Sequence, residues 1–148
     1  MMYQTDKKWP TDIQRYGCYF LSICYQLDLN FSLGIFDNND YGKLMTYYED
    51  EEMNHDLGLE VFVKNPQHLC DYILGGKKVE FIGKEDKDFV PTYKHFEILQ
   101  WLWTKPDGTD SVHFVAGRNG NIIYDPVEGG ALTISNGQLD SKRIFKIL

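Results

Sequence analysis

Apolar residues recur at helical spacing between Asp12 and Leu29. They are Ile13, Tyr16, Phe20, Leu21, Ile23, Cys24 and Leu27. Gly17 interrupts this pattern, because glycine is unfavourable inside a helix. We therefore predict a turn over Asp12 to Tyr16, an N-cap at Gly17 and a largely buried main helix that begins at Cys18. The Cys18 thiol then lies in the first helical turn, where the helix dipole favours a thiolate.

Two further helices are predicted in the first half of the chain. A loop rich in turn-forming residues, 31–39, precedes a helix from about Asp40 to Met53, which turns Leu44, Tyr47 and Tyr48 inward. The acidic residues 49–52 at its end are either solvated or held for a basic partner. Residues 65–74 form a short helix with a proline at its first position and a glycine pair after it.

The pattern becomes typical of strands after Lys77. The β-rich runs are Val79–Ile82, Tyr93–Trp103, Ser111–Gly117, Ile122–Asp125 and Arg143–Ile147. Helices first and strands second indicate an α+β fold, with N-terminal helices packed on a C-terminal antiparallel sheet. We expect a single domain over 1–148, with a helical part at about 11–76 and a sheet part at about 77–148.

Charge and cysteine content exclude several classes of protein. Fifteen basic against 22 acidic residues give a formal charge of −7, which argues against nucleic acid as a partner. No apolar run is long enough for a signal peptide or a membrane span, so no membrane partner is expected. Three cysteines, an odd number without CxxC spacing, favour free thiols and a cytoplasmic location.

Metal and cofactor motifs are weak throughout. The segment that begins at Asp37 starts like a calcium loop, but Tyr41 and Tyr48 occupy its fifth and twelfth positions, where oxygen ligands are needed. His55 and Asp56 are an isolated pair, the cysteines lack zinc spacing, and no phosphate loop of the GxxxxGK type is present. We expect no cofactor and no metal.

Cys18, His113 and Asp125 follow one another in the order nucleophile, base and orienting acid. A thiol attacks poorly unless an imidazole takes its proton, and a carboxylate on the other ring nitrogen orients that imidazole. Each residue also has an ordinary structural explanation, as a buried thiol, a sheet histidine or a turn-starting aspartate. The combination is what indicates nucleophilic chemistry.

The hairpin between His113 and Asp125 decides whether these two side chains share a face. A two-residue turn at Asn119-Gly120 places Asp125 opposite Phe114, on the wrong face. A three-residue loop that begins at Arg118 places His113 directly opposite Asp125. The catalytic interpretation therefore predicts the three-residue loop.

These motifs resemble those of small papain-like cysteine peptidases, in particular the peptidases that process double-glycine bacteriocin leaders. In that group a cysteine opens the first long helix, a histidine begins a strand in an HFV context, and an Asp-Pro pair ends the next strand. Cys18, His113 with the Phe-Val that follows it, and Asp125 with the proline after it match this layout. The chain is also similar to uncharacterised small proteins of bacterial mobile elements, which implies a phage or plasmid origin.

The resemblance implies a thiol hydrolase that acts on a peptide, isopeptide or amide bond of a peptide or protein substrate. The family's oxyanion-hole glutamine lies six residues before the cysteine, where this chain has Asp12; Gln14 is the nearest glutamine and, with the Cys18 amide, our candidate for the oxyanion hole. Tyr19 stands where the family prefers a small residue. The alternative is a catalytically inactive papain-like domain that binds or inhibits a host protein; the oligomeric state is not predicted.

Overall fold

The structure, a computed structural model, describes residues 1–49 and 63–148 and contains helices followed by one antiparallel sheet. The helices are α1 (Thr11–Tyr16), α2 (Cys18–Phe31), α3 (Tyr41–Glu49), α4 (Pro66–Leu74) and α5 (Leu132–Asn136). The strands are β1 (Val79–Asp86), β2 (His95–Thr104), β3 (Asp110–Arg118), β4 (Asn121–Tyr124) and β5 (Gln138–Ile147), in the order β1-β5-β2-β3-β4. The predicted α+β class is confirmed.

One face of the sheet packs on the helices. Side chains alternate along each strand, so Phe96 and Ile98 on β2 share this face with Phe114 and Ala116 on β3. They belong to one buried cluster with residues of α2, α3 and α4, among them Phe20, Leu27, Leu44 and Leu69. Tyr47 and Tyr48 pack against the same cluster, which confirms the inward face predicted for α3.

The opposite face of the sheet is also covered. Leu99, Val115 and Ile144 lie there and are fully buried. Beside them Lys142 Nζ lies 2.6 Å from a carboxylate oxygen of Glu97, and it also donates to the Phe89 carbonyl at 2.9 Å. These contacts draw the β1–β2 connection over this face of the sheet.

Helix α5 was not predicted from the sequence. It lies between β4 and β5 and contacts β2 and β3, and the hydroxyls of Thr133 and Ser111 are 2.7 Å apart. Helix α3 is shorter in the described residues than the predicted span, because residues 50–53 lie outside them. No helix among residues 1–49 and 63–148 is long and apolar enough to cross a membrane.

Gly17 forms the junction between α1 and α2, and the main helix begins at Cys18 as predicted. The residues before Gly17 form a six-residue helix rather than a turn. Gly17 keeps a negative φ of −80°, so a positive φ is not the reason for a glycine. A Cβ at this position would lie 2.6 Å from the Ile13 carbonyl oxygen and 2.8 Å from Ile13 Cγ2. The junction therefore requires a residue without a side chain.

We expect Gly17→Ala to lower the free energy of unfolding by about 1–3 kcal/mol, since the added methyl group overpacks the α1–α2 junction. Urea denaturation followed by circular dichroism measures this change. Gly42→Ala on α3 is the matched control, because its Cβ would meet nothing closer than 3.7 Å. Equal effects of the two substitutions would contradict the close approach at Gly17.

Candidate active site

The β3–β4 hairpin has a two-residue turn, so the predicted three-residue loop is wrong. Arg118 pairs with Asn121, and Asn119 and Gly120 both have positive φ, 53° and 80°, as a type I′ turn requires. The register then shifts, because Gly117 pairs with Ile122 but Ala116 pairs with Tyr124. The extra residue on β4 is a β-bulge, and it reverses the facing of every later side chain.

The bulge places His113 and Asp125 on one face of the sheet. Without it, the two-residue turn would place them on opposite faces. Continued past Tyr124, the register sets Asp125 beside Val115, which shares a face with His113 two residues away. The two side chains meet on this diagonal, and His113 Nε2 lies 2.7 Å from Asp125 Oδ1. The predicted contact is present, although its geometric cause differs from the predicted one.

His113 is a buried histidine held between two acidic partners. Burial alone would lower its pKa, but hydrogen bonds with Asp125 and then with Cys18 outweigh burial and raise the pKa to about 9. These contacts therefore favour the cationic form of the ring. Because Nε2 is bonded to Asp125, Nδ1 is the nitrogen left for the Cys18 sulfur.

Cys18 reaches this ring because it is the first residue of α2. Its side chain is half-buried, whereas Cys24 and Cys70 are fully buried, and all three are free thiols. The backbone N–H of a first helical residue has no acceptor within the helix, so the Cys18 amide is available to a ligand. The structure thus places a thiol in the first turn of α2 close to the His113 imidazole.

Asp125 holds the following loop as well as the histidine. Oδ1 accepts the Val127 amide at 2.9 Å, and Oδ2 accepts the Ala131 amide at 3.1 Å. Burial would raise the pKa of Asp125, but the hydrogen bonds from His113 and Val127 lower it below its usual value. Asp125 is therefore an ionised carboxylate with three donors.

Side chains of α2 fix the helix against the sheet. Ser22 Oγ donates to the Phe114 carbonyl at 3.3 Å, and Gln26 Nε2 donates to the carbonyls of Gly117 and Glu97 at 2.9 and 3.0 Å. All of these donors and acceptors are buried. They set the position of Cys18 along β3.

The side chains of Gln14 and Gln4 both donate hydrogen bonds to backbone carbonyls. Gln14 is the predicted oxyanion residue. Its side-chain Nε2 donates to the Trp9 carbonyl at 2.7 Å, and its backbone carbonyl accepts a hydrogen bond from Gln4 Nε2 at 3.1 Å. Gln4 is buried, and its backbone amide donates to the Pro126 carbonyl at 2.6 Å. Sequence reasoning missed Gln4, which links α1 to the residue after Asp125; no periodic pattern includes it.

Other predicted features lie elsewhere. Tyr19 is buried and stacks on Phe114 with 4.5 Å between ring centroids. Asp12 is exposed, and Asp40 caps α3 by accepting the Lys43 amide at 3.1 Å. His55, Asp56 and residues 50–52 of the acidic segment lie outside the described residues, and among those that are described no group of three His, Cys, Asp or Glu could hold a metal ion.

Comparison with known proteins gives one match. The family model described as "Protein of unknown function, DUF261" matches residues 1–147. The chain belongs to this family. No curated protein and no solved structure matches the chain.

The His113–Asp125 contact predicts a pH-dependent stability for this DUF261 protein. The folded pKa of His113, about 9, exceeds the unfolded value near 6.5, so the stabilisation is complete below pH about 6.5 and is lost as the pH rises through about 9. We expect Asp125→Asn to lower the free energy of unfolding by about 1.5–3 kcal/mol at pH 6.5, the range for hydrogen bonds to charged groups.

The same substitution should cost less at pH 10, where His113 is neutral in the wild type. Urea denaturation at both pH values measures the difference, and histidine NMR titration follows the pKa of His113 directly. Asp110→Asn, at an exposed aspartate at the start of β3, is the control. An Asp125→Asn effect that does not change with pH would rule out the charged contact.

Proposed function

We propose that this protein is a thiol hydrolase with Cys18 as nucleophile, His113 as acid and base, and Asp125 as the residue that orients His113. The observation that supports it best is the hydrogen bond between His113 and Asp125, with Cys18 close enough to His113 to raise the pKa of the ring. Residues far apart in the sequence meet there in the arrangement that activates a thiol. A purely structural histidine needs no thiol partner.

In acylation, the proton of the Cys18 thiol passes to His113, and the sulfur becomes the nucleophile. The sulfur attacks the carbonyl carbon of the scissile amide, and a tetrahedral oxyanion forms. The C–N bond then breaks as His113 Nδ1 gives its proton to the leaving amine. The products of this step are a free amine and a thioester on Cys18.

Deacylation reverses the proton transfers. Neutral His113 takes a proton from water, whose oxygen attacks the thioester carbonyl, and the thiolate leaves as the acid product forms. Asp125 stabilises the cation that forms each time. The Cys18 amide would donate to the oxyanion, and the second hydrogen of Gln14 Nε2 is our candidate for the other donor.

We further propose a papain-like fold, a peptide or protein substrate cleaved at a peptide, isopeptide or amide bond, and a cytoplasmic location. The fold proposal is supported by a cysteine at the start of a buried helix that packs along a strand carrying the histidine. Three free thiols, two of them buried, suit a reducing compartment.

The second candidate is an inactive papain-like domain that binds or inhibits a host protein. The side chain of Gln14 favours it, because its amide is already bonded to Trp9, and the exposed Asp12 would repel an oxyanion if it approached the site. Glu49, the described residue of the acidic segment, is exposed and available to a basic partner. Thiol reactivity separates the two candidates.

We expect iodoacetamide at pH 6 to modify Cys18 at least about tenfold faster than Cys24 and Cys70, because an unassisted thiol is under about 1% ionised there. Burial raises the pKa of both other thiols, that of Cys70 to about 12, so they serve as internal controls. Mass spectrometry of the tryptic peptides measures the three rates. His113→Gln should slow Cys18 selectively, and a Cys18 rate that this substitution leaves unchanged would favour the binding domain.

Hydrolysis itself is tested with pooled fluorogenic tetrapeptide amides. Cys18→Ala should abolish the release of the fluorophore, and His113→Gln should lower kcat/KM by about 10²–10⁴, the usual contribution of a general acid and base. His95→Gln is the matched control, since His95 lies at the start of β2 and its Nδ1 accepts the Thr92 amide within its own turn. Activity that survives Cys18→Ala would disprove the proposed nucleophile.

A further inference from the structure

Arg143 on β5 is a half-buried cation with neutral hydrogen-bond partners. Its Nη1 donates to Gln100 Oε1 at 2.6 Å and to Ser141 Oγ at 3.0 Å. Within residues 1–49 and 63–148 no carboxylate forms an ion pair with it, and Asp140 acts only at longer range. Burial lowers the pKa of the Arg143 guanidinium, which reflects the cost of this unpaired charge.

This cation contacts an aromatic stack formed by the two residues that follow the candidate nucleophile and base in the sequence. Its guanidinium carbon is 5.4 Å from the centroid of the Phe114 ring, and that ring stacks on Tyr19. Phe114 and Tyr19 directly follow His113 and Cys18 in the sequence. The stack of Arg143, Phe114 and Tyr19 therefore lies on the other face of β3 from the imidazole and adjoins the Cys18–His113 pair through the backbone.

The helix-facing side of the sheet is exposed to solvent near Val112, the end toward which the Arg143 side chain extends. On the face of the sheet that packs on the helices, Phe96, Ile98 and Ala116 are buried, but Val112 near the start of β3 is 46% exposed. Arg143 pairs with Ile98, and its hydrogen bonds to Gln100 and Ser141 reach one row of residues closer to Val112. The helices therefore leave this end of the face accessible to a ligand.

We propose that Arg143 binds a carboxylate of the substrate, so that the hydrolase selects peptides with Asp or Glu within two residues of the cleaved bond. This inference rests on the proposed function. Both hydrogens of Nη1 are used, which leaves Nε and Nη2 along one edge of the guanidinium. That edge is the geometry in which arginine binds a carboxylate through two parallel hydrogen bonds.

Pools of fluorogenic tetrapeptides test the inference, each with Glu or its neutral isostere Gln fixed at one position. We expect the wild type to cleave the Glu pool at one position with at least about tenfold higher kcat/KM, mainly through KM, as one charged hydrogen-bonded pair predicts. Arg143→Gln should reduce this Glu-to-Gln ratio to near one, and Arg143→Lys should retain part of it.

Arg118→Gln is the matched control, because it removes the same charge from the exposed far end of β3 and should leave the ratio unchanged. Thermal unfolding of each variant establishes that it is folded. Cleavage by the wild type with a ratio near one at every position overturns the role of Arg143 and leaves the hydrolase intact. A ratio that Arg143→Gln does not reduce overturns it as well.

Binding separates this inference from the proposed chemistry. Fluorescein-labelled Glu and Gln pools are titrated into the Cys18→Ala protein and followed by fluorescence polarisation. Tighter binding of a Glu pool that Arg143→Gln abolishes supports the carboxylate site even where the wild type cleaves nothing, in which case the hydrolase proposal fails alone. Equal binding of the two pools at every position overturns the carboxylate site.

Discussion

The contact between α2 and the edge of β3 is the constraint on which the rest of the structure depends. Strand β4 is four residues long and pairs with β3 only over Ala116 to Arg118. In the described part of the chain, α2 packs along β3, and Ser22 donates to the Phe114 carbonyl there. A buried carbonyl without a donor is costly, so this hydrogen bond fixes the helix along the strand. The position of Cys18 beside His113 follows from it.

The bulge in β4 is the second determinant of the site. A regular hairpin closed by the Asn119-Gly120 turn would direct Asp125 to the face opposite His113. One extra residue at Ile123 reverses the parity of the strand after the turn, and the carboxylate then meets the imidazole. Ile123 itself packs against the helix-facing core, which gives the extra residue a place to bury its side chain.

The sequence predicts the positions of the helices and strands better than the strand register and the tertiary contacts. Helical spacing and Gly17 locate the start of α2, and alternation with turn residues locates all five strands, because both signals are local. The bulge at Ile123 has no local signal, since the Asn-Gly turn fits either register until tertiary packing chooses one. Helix α5 is too short for a periodic pattern, and Gln4 and Arg143 acquire their neighbours only through the fold.

Asp125 supports two parts of the protein, and this has a consequence for how the family can diverge. Its carboxylate orders the loop from Val127 to Ala131 whether or not any reaction takes place. The sulfur of Cys18 has no comparable architectural duty, because serine or alanine fits a first helical turn equally well. Under the proposed function, a family member that lost its activity would therefore lose its thiol early while its aspartate persisted, so the residue at position 18 would be the better marker of activity.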